Sequence, residues 1–366
     1  MKRFYTVFIL LLLVSCKREA VVVNDDLGEQ KFNDLAFYNL KGNVKEMSEK
    51  TVETDQDKEV PVEDIAGKHL APPYNLEVMF SKAGNVISEK RYLKNGTIFE
   101  EFTYKSKNQP LTHVQYNQGV PGINTKYTWD EKNENDNIII TRRNNDNTQI
   151  DKVQQLFENG KIVEKRKFNN SELLTDRIGY AYDKQGNVIE KTDYLNFEKP
   201  QFKTVYEYND DNNLVSETKY DKAGNVLYKT VSDYDNKLLI KTETLNADSS
   251  SEYSKEMKYN DKGNTIFISA YDKFSERKIQ DEFEYDDKGN KIKALKSEND
   301  RHLFTTTYGY DEHNNLKIIT VTNNSAVITE NIIYEYEYDS KGNWVRKSIT
   351  LNGIPKYIVE RTITYF

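Results

Sequence analysis

Along most of this chain apolar and polar positions alternate one for one. Tyr180-Ala181-Tyr182, Tyr206-Glu207-Tyr208, Phe283-Glu284-Tyr285 and Tyr336-Glu337-Tyr338 place rings on one side and a small or charged group on the other. That period of two predicts strands with one buried and one solvated face. Each run ends in a turn, and the turn recurs. The best copies read Tyr182-Asp183-Lys184-Gln185-Gly186-Asn187, Tyr259-Asn260-Asp261-Lys262-Gly263-Asn264, Tyr285-Asp286-Asp287-Lys288-Gly289-Asn290 and Tyr338-Asp339-Ser340-Lys341-Gly342-Asn343. With looser copies at Tyr208, Tyr234 and Tyr310, successive starts from Tyr182 lie 26, 26, 25, 26, 25 and 28 residues apart. A fixed period of this size means one supersecondary unit used many times.

The turn residues suit a hairpin. Asp or Asn at the first corner accepts backbone hydrogen bonds, and Gly followed by Asn fits a left-handed residue closing a type I turn with a bulge. Half a period later a less regular reversal follows, as at Tyr220-Asp221-Lys222-Ala223-Gly224-Asn225 and Leu351-Asn352-Gly353. Each unit is therefore strand, tight turn, strand, looser turn. The first half of the chain keeps the beat in worn form, with starts at Tyr38, Phe80, Tyr104, Trp129 and Phe157. Twelve starts predict roughly two dozen short strands over residues 35–366, with a loop excursion at 51–73, where acidic residues and prolines break the rhythm.

Composition narrows the architecture. Recounted without its 26 tyrosines and with its 16 glycines, the apolar share of 37% becomes roughly 34%, below the ~45–50% of ordinary globular domains. Sustained alternation and 12% aromatics argue against disorder. The expectation is an all-β antiparallel meander of hairpin repeats, about 25–26 residues each, forming a curled or superhelical sheet with an aromatic inner ladder. A closed barrel is the disfavoured alternative, because two dozen strands would enclose a wide lumen.

The N-terminus carries an address. Met1-Lys2-Arg3 precedes the apolar run from Phe4 to Val14, a secretory leader too short to span a bilayer comfortably. It ends in Leu13-Val14-Ser15-Cys16, which resembles the bacterial lipobox. That resemblance implies a signal peptide over 1–15, lipidation of Cys16 and a tether over 16–34; Lys17 after the cysteine leans toward the outer membrane. Cys16 is the one cysteine of the chain, so no disulfide is expected in the mature domain. Loss of Lys2 and Arg3 with the leader takes the net charge from −7 to −9, a poor balance for binding nucleic acid or anionic lipid.

The Tyr-Asp-x-x-Gly-Asn units resemble the YD repeats of the RHS family, most closely from Tyr180 onward. The resemblance implies a spiralling sheet that can close into a hollow shell, with some members carbohydrate-associated. This chain departs from it in its longer period and its irregular second half-repeat. It also lacks an Asp-Pro-x-Gly motif, and its end, Thr362-Ile363-Thr364-Tyr365-Phe366, reads as a strand and not as a toxin cargo.

Catalytic signatures are sparse. His69, His113, His302 and His313 lie at no metal-ligand spacing. Asp210-Asp211 and Asp286-Asp287 are explained as hairpin corners better than as calcium loops. Trp129 and Trp344 are the two candidates for stacking on a sugar, with Trp129 better read as core. The functional expectation is thus a non-enzymatic, lipid-anchored envelope repeat protein, needing no cofactor or metal, that serves a glycan or protein partner as scaffold. The alternatives are a glycan-processing enzyme using a carboxylate pair, or an accessory or remnant of an RHS toxin system.

Overall fold

The structure, a computed structural model, describes residues 34–54, 72, 74–106, 109–129, 137–195 and 198–366. The leader, Cys16 and nearly all of the tether lie outside them. After one helical turn, α1 (Asp34–Phe37), every element among the described residues is a strand. The first six are β1 (Val44–Glu53), β2 (Asn75–Phe80), β3 (Val86–Tyr92), β4 (Ile98–Ser106), β5 (Gln109–Asn117) and β6 (Val120–Trp129). Next come β7 (Ile138–Arg143), β8 (Gln149–Glu158), β9 (Lys161–Asn169), β10 (Leu174–Tyr182), β11 (Val188–Asp193) and β12 (Phe202–Tyr208). Then follow β13 (Leu214–Asp221), β14 (Val226–Asp235), β15 (Leu238–Asn246), β16 (Ser251–Tyr259), β17 (Thr265–Asp272) and β18 (Arg277–Tyr285). The last six are β19 (Lys291–Glu298), β20 (Arg301–Tyr310), β21 (Leu316–Asn323), β22 (Ile328–Tyr338), β23 (Trp344–Leu351) and β24 (Ile354–Tyr365). β1 runs on to Glu53, so the excursion expected from residue 51 starts later, and its 55–71 portion is outside the described residues.

Each strand pairs antiparallel with the next, and β1 pairs with β24 from Val44↔Tyr365 to Glu53↔Tyr357. The meander is therefore a closed barrel of 24 strands, and the expected open or superhelical sheet is corrected on this point. Two physical reasons favour closure. An open ribbon leaves two unpaired edges, whereas the ring pairs both. The wide-lumen objection also fails, because the inner face is not a continuous apolar surface that must be packed: Arg142, Lys165, Lys167 and Asp176 stand on it and are at home in water. At ~4.8 Å per strand the girth is roughly 115 Å.

The tight turns all fall on one rim. Between β10 and β11, Asp183 donates its N–H to Asn187 O (3.0 Å) and accepts from Gly186 N (3.2 Å). Its carboxylate receives the Asn187 N–H at 2.8 Å and the Asn187 amide at 2.9 Å. Gly186 sits at φ +100° and the register slips by one residue at Tyr182, the bulge that the Gly-Asn pair requires. Asp286 repeats the pattern with Asn290, and Asp339 repeats its backbone bonds and the Asn343 N–H to its carboxylate, while the Asn343 amide turns to Lys41 O and Tyr365.

The tyrosine before each turn ties its unit to the one before. Tyr182 donates its hydroxyl to Ile162 O, Tyr208 to Val188 O, Tyr234 to Leu214 O, Tyr259 to Leu239 O, Tyr285 to Thr265 O and Tyr310 to Lys291 O, all at 2.7–2.9 Å. The 28-residue step to Tyr338 shifts this relay by two positions. Tyr336 takes the bond to Leu316 O (2.9 Å), while Tyr338 donates to Asp311 and accepts from Asn315.

Fully packed apolar side chains concentrate around the closure. Val44, Met47, Val78 and Phe80 form one cluster with Leu35 and Leu40, which precede β1. Ile319, Ile332, Trp344, Ile349 and Val359 form a second. Elsewhere the inner face is mostly half-buried.

Candidate functional site

Away from the closure, inner positions of β5 to β10 carry few of the rings that mark the later repeats. In register across the sheet stand His113, Thr125, Arg142 and Asp151, one from each of β5 to β8. Below them Val153 of β8 faces Lys167 of β9, which faces Asp176 of β10. A third row joins Gln155, Lys165 and Ile178. All of these but Asp151, together with Tyr127 and Ile140, line a groove of about 480 Å³, within the range of small-molecule sites.

Beside the groove lies Asp151, 6% exposed. Arg142 clamps its carboxylate through Nε (2.7 Å) and Nη2, and Lys167 lies 3.7 Å away. The Arg142 hydrogen bonds hold the Asp151 carboxyl below the usual carboxylate range, against the opposing effect of burial. His113 stacks on Phe102 at 4.2 Å and lies 3.4 Å from Glu100. Burial lowers its pKa, only partly offset by Glu100, so the ring is neutral at pH 7. Three buried polar atoms of lining residues, His113 Nε2, Gln155 Oε1 and Asp176 Oδ1, have no hydrogen-bond partner.

The residues singled out in the sequence lie elsewhere. Tyr182, Asp183, Gly186, Asn187, Tyr259, Gly263, Asn264, Tyr285, Asp286, Gly289, Asn290, Tyr338, Asp339, Gly342 and Asn343 all belong to the turn rim and its interlocks. Trp344 is 4% exposed, with the Arg361 guanidinium 3.6 Å from its ring centre, so it is core and offers no face to a sugar. Trp129 donates its indole N–H to Pro110 O at 2.9 Å. Of the described histidines, His302 reaches Thr305 and His313 stacks on Tyr338. Among the described residues no three His, Cys, Asp or Glu side chains gather around one point.

The outward face is charged. Lys293–Glu284 (2.8 Å), Arg346–Glu337 (2.8 Å) and Lys203–Glu190 (2.6 Å) are cross-strand ion pairs on the side opposite the tyrosines. A lipid-facing barrel wall carries an apolar band instead, and a basic residue at its midplane costs ~2–4 kcal/mol.

No protein-family model matches this chain, and no curated protein does. Among solved structures, similarity is found to a Photorhabdus luminescens Tc holotoxin pore, at 12% identity and TM-score 0.29 over 83% of this chain. This chain spans about a fifth of the length of that one, 20%. A porin-like protein from Bacteroides uniformis matches at 10% identity and TM-score 0.21, covering 88% of this chain and 96% of its own. One from Bacteroides vulgatus matches at 13% and 0.16, covering 70% and 94%. At such scores none of the three bears on function, and the reading rests on the residues themselves.

Proposed function

We propose that this chain is a lipid-anchored cell-envelope repeat protein of the YD type, without catalytic turnover, whose closed barrel is a rigid scaffold holding a glycan in its inner groove. The observation that carries the reading is the groove itself. It combines hydrogen-bonding amides, hydroxyls and charges on a wall fixed by strand pairing, while the buried carboxylate beside it, Asp151, is already committed to Arg142 and Lys167. A committed carboxylate positions and binds; an acid catalyst needs a raised pKa beside a second carboxylate. Asp281 does have a carboxyl pushed up by burial, but its near neighbour is Lys296, at 3.8 Å. The charged outer wall supports an anchored barrel over a membrane-spanning one, and Leu13-Val14-Ser15-Cys16 supports the anchor.

A protein partner is the second reading, favoured by the rim opposite the tight turns. Leu93, Leu173, Phe274 and Val327 stand exposed in its loops, Phe274 fully so, and Val120 and Ile354 at the starts of β6 and β24.

Expression of the full chain tests both halves of the proposal. The protein should fractionate with membranes, and Cys16→Ala should release it or leave the leader uncut; an unchanged Cys16→Ala variant would sink the anchor. Glycans should bind without being cleaved. Reproducible bond cleavage, abolished by one Asp→Asn or Glu→Gln change in a folded variant, would replace the scaffold by an enzyme.

A further inference from the structure

Resting on that scaffold reading, we infer that the groove across β5 to β10 binds an uncharged oligosaccharide of two or more rings, which donates hydroxyls to Gln155 and Asp176. The unpartnered acceptors carry the inference. Gln155 is 3% exposed, lines the groove and has no donor for its Oε1; Asp176 Oδ1, on the same wall, is likewise buried and unpaired. Leaving such atoms without a donor is costly, and a bound group that supplies one recovers the cost. The ligand is therefore rich in O–H or N–H.

Its charge follows from the commitments of the wall. Arg142 is bonded to Asp151, Lys167 lies 3.7 Å from that same carboxylate, and Lys165 is engaged by a partner of its own. Glu100, in register with the lining Gln115, is held by Arg91 at 2.9 Å. An anionic ligand would find no uncommitted cation among the lining residues and would meet Asp176. A cationic one would meet Arg142, Lys165 and Lys167. A neutral hydroxyl incurs neither penalty.

Its length follows from the register. Gln155 and Asp176 stand two strands apart and two residues out of line, so about 12 Å separates their backbones at ~4.8 Å per strand and ~3.4 Å per residue. That span suits two joined sugar rings better than one. Tyr127, Ile140 and Val153 stand side by side in register on β6, β7 and β8, an apolar floor for the ring faces. An extended peptide also carries N–H donors, but peptides join β-sheets along open edges, and the β1–β24 pairing leaves none.

The test is calorimetric titration of the full-length chain in detergent with short oligomers of glucose, of mannose and of xylose, each beside its monosaccharide. Oligogalacturonate, oligoglucosamine and an uncharged serine-rich peptide of similar length are separate arms. At least one neutral oligomer should bind about ten-fold or more tightly than its monosaccharide and than either charged oligomer, with an affinity that salt leaves unchanged. Gln155→Met should weaken that binding about ten-fold while its melting temperature holds or rises, because the variant loses an unpaired buried acceptor. Asp176→Ala should weaken it likewise and stands in should Gln155→Met unfold. Lys293→Gln on the outer wall should change nothing.

Tighter binding of a charged oligomer or of the peptide overturns the inference, as does an affinity that falls with salt. Equal binding of monosaccharide and oligomer, wild-type affinity in both groove variants, or binding by no neutral oligomer overturns it too. A charged glycan held without cleavage leaves the scaffold reading standing, whereas glycan cleavage removes that reading itself.

Discussion

Phe366 donates its backbone N–H to the carbonyl of Asn43 at 3.0 Å, the bond that Asp339 makes to Asn343 at 2.9 Å within a single turn. The two ends of the sheet thus share one repeat. Tyr365 and Phe366 supply its first half, and Gly42 (φ +80°) and Asn43 supply its second. Asn343, 1% exposed, stitches the junction: it accepts from Lys41 N (2.7 Å) and donates to Lys41 O (3.0 Å) and to the Tyr365 hydroxyl (2.7 Å). Tyr365 in turn donates to Asp339. The barrel is closed by the same turn that builds it.

The closure holds a buried ion pair, and its loss should be felt globally. Arg361 of β24 donates to Glu49 of β1 at 2.8 Å, with both side chains under 10% exposed, and also to Tyr38 O at 3.2 Å. Removing one partner strands the other charge, so Glu49→Ala should cost ~3–5 kcal/mol in denaturant unfolding.

Gly289 lies at φ +83° with nothing within 4 Å of where a Cβ would stand, so a substitution there meets strain and not a clash. Gly289→Val should destabilise by about 1 kcal/mol or more. Gly289→Asn should cost a few tenths, at most ~0.5 kcal/mol, because Asn tolerates this conformation. Asn212 and Asn314 occupy the equivalent site at φ 63° and 67°. Equal losses from Val and Asn in thermal melts would refute the turn assignment.

The tyrosine relay makes an additive prediction. Tyr285→Phe removes the bond to Thr265 O at 2.7 Å and should cost ~0.5–1.5 kcal/mol. Tyr208→Phe, three units away, should add to it independently.

Acid sensitivity should trace partly to Asp151. Its folded-state pKa lies below the unfolded value, so its contribution is complete above the ordinary aspartate pKa of about 4. That contribution is lost as pH falls through the lower folded value. Asp151→Asn should therefore be less stable than wild type near neutrality and show a shallower decline in melting temperature on acidification. Parallel curves for the two proteins would contradict the Arg142 clamp.

The hairpin, its bulge and the count of two dozen strands were legible because turn chemistry and period-two alternation are local. Closure was not: the copy at Tyr38 reads as one more complete turn, and only the distant β24 reveals that its Gly42-Asn43 half alone is used. The groove was hidden for a related reason. Thr125, Arg142, Gln155, Lys165 and Asp176 come from five different strands, and no two neighbours in sequence mark them. The available signal was negative, the fading of Tyr and Phe from alternate positions in the worn first half. Trp344 was ambiguous because its burial comes from Tyr336 and Arg361, on strands either side.

Closure of the ring is the central claim, and Lys50 and Glu360 test it most directly. They are register partners across the β1–β24 junction, more than 300 residues apart, and both are exposed on the outer wall. A zero-length carbodiimide cross-link between Lys50 and Glu360 should appear by mass spectrometry in the monomer, alongside local links such as Lys293 to Glu284. Formation of the local links with no trace of Lys50–Glu360 would mean that the sheet is open.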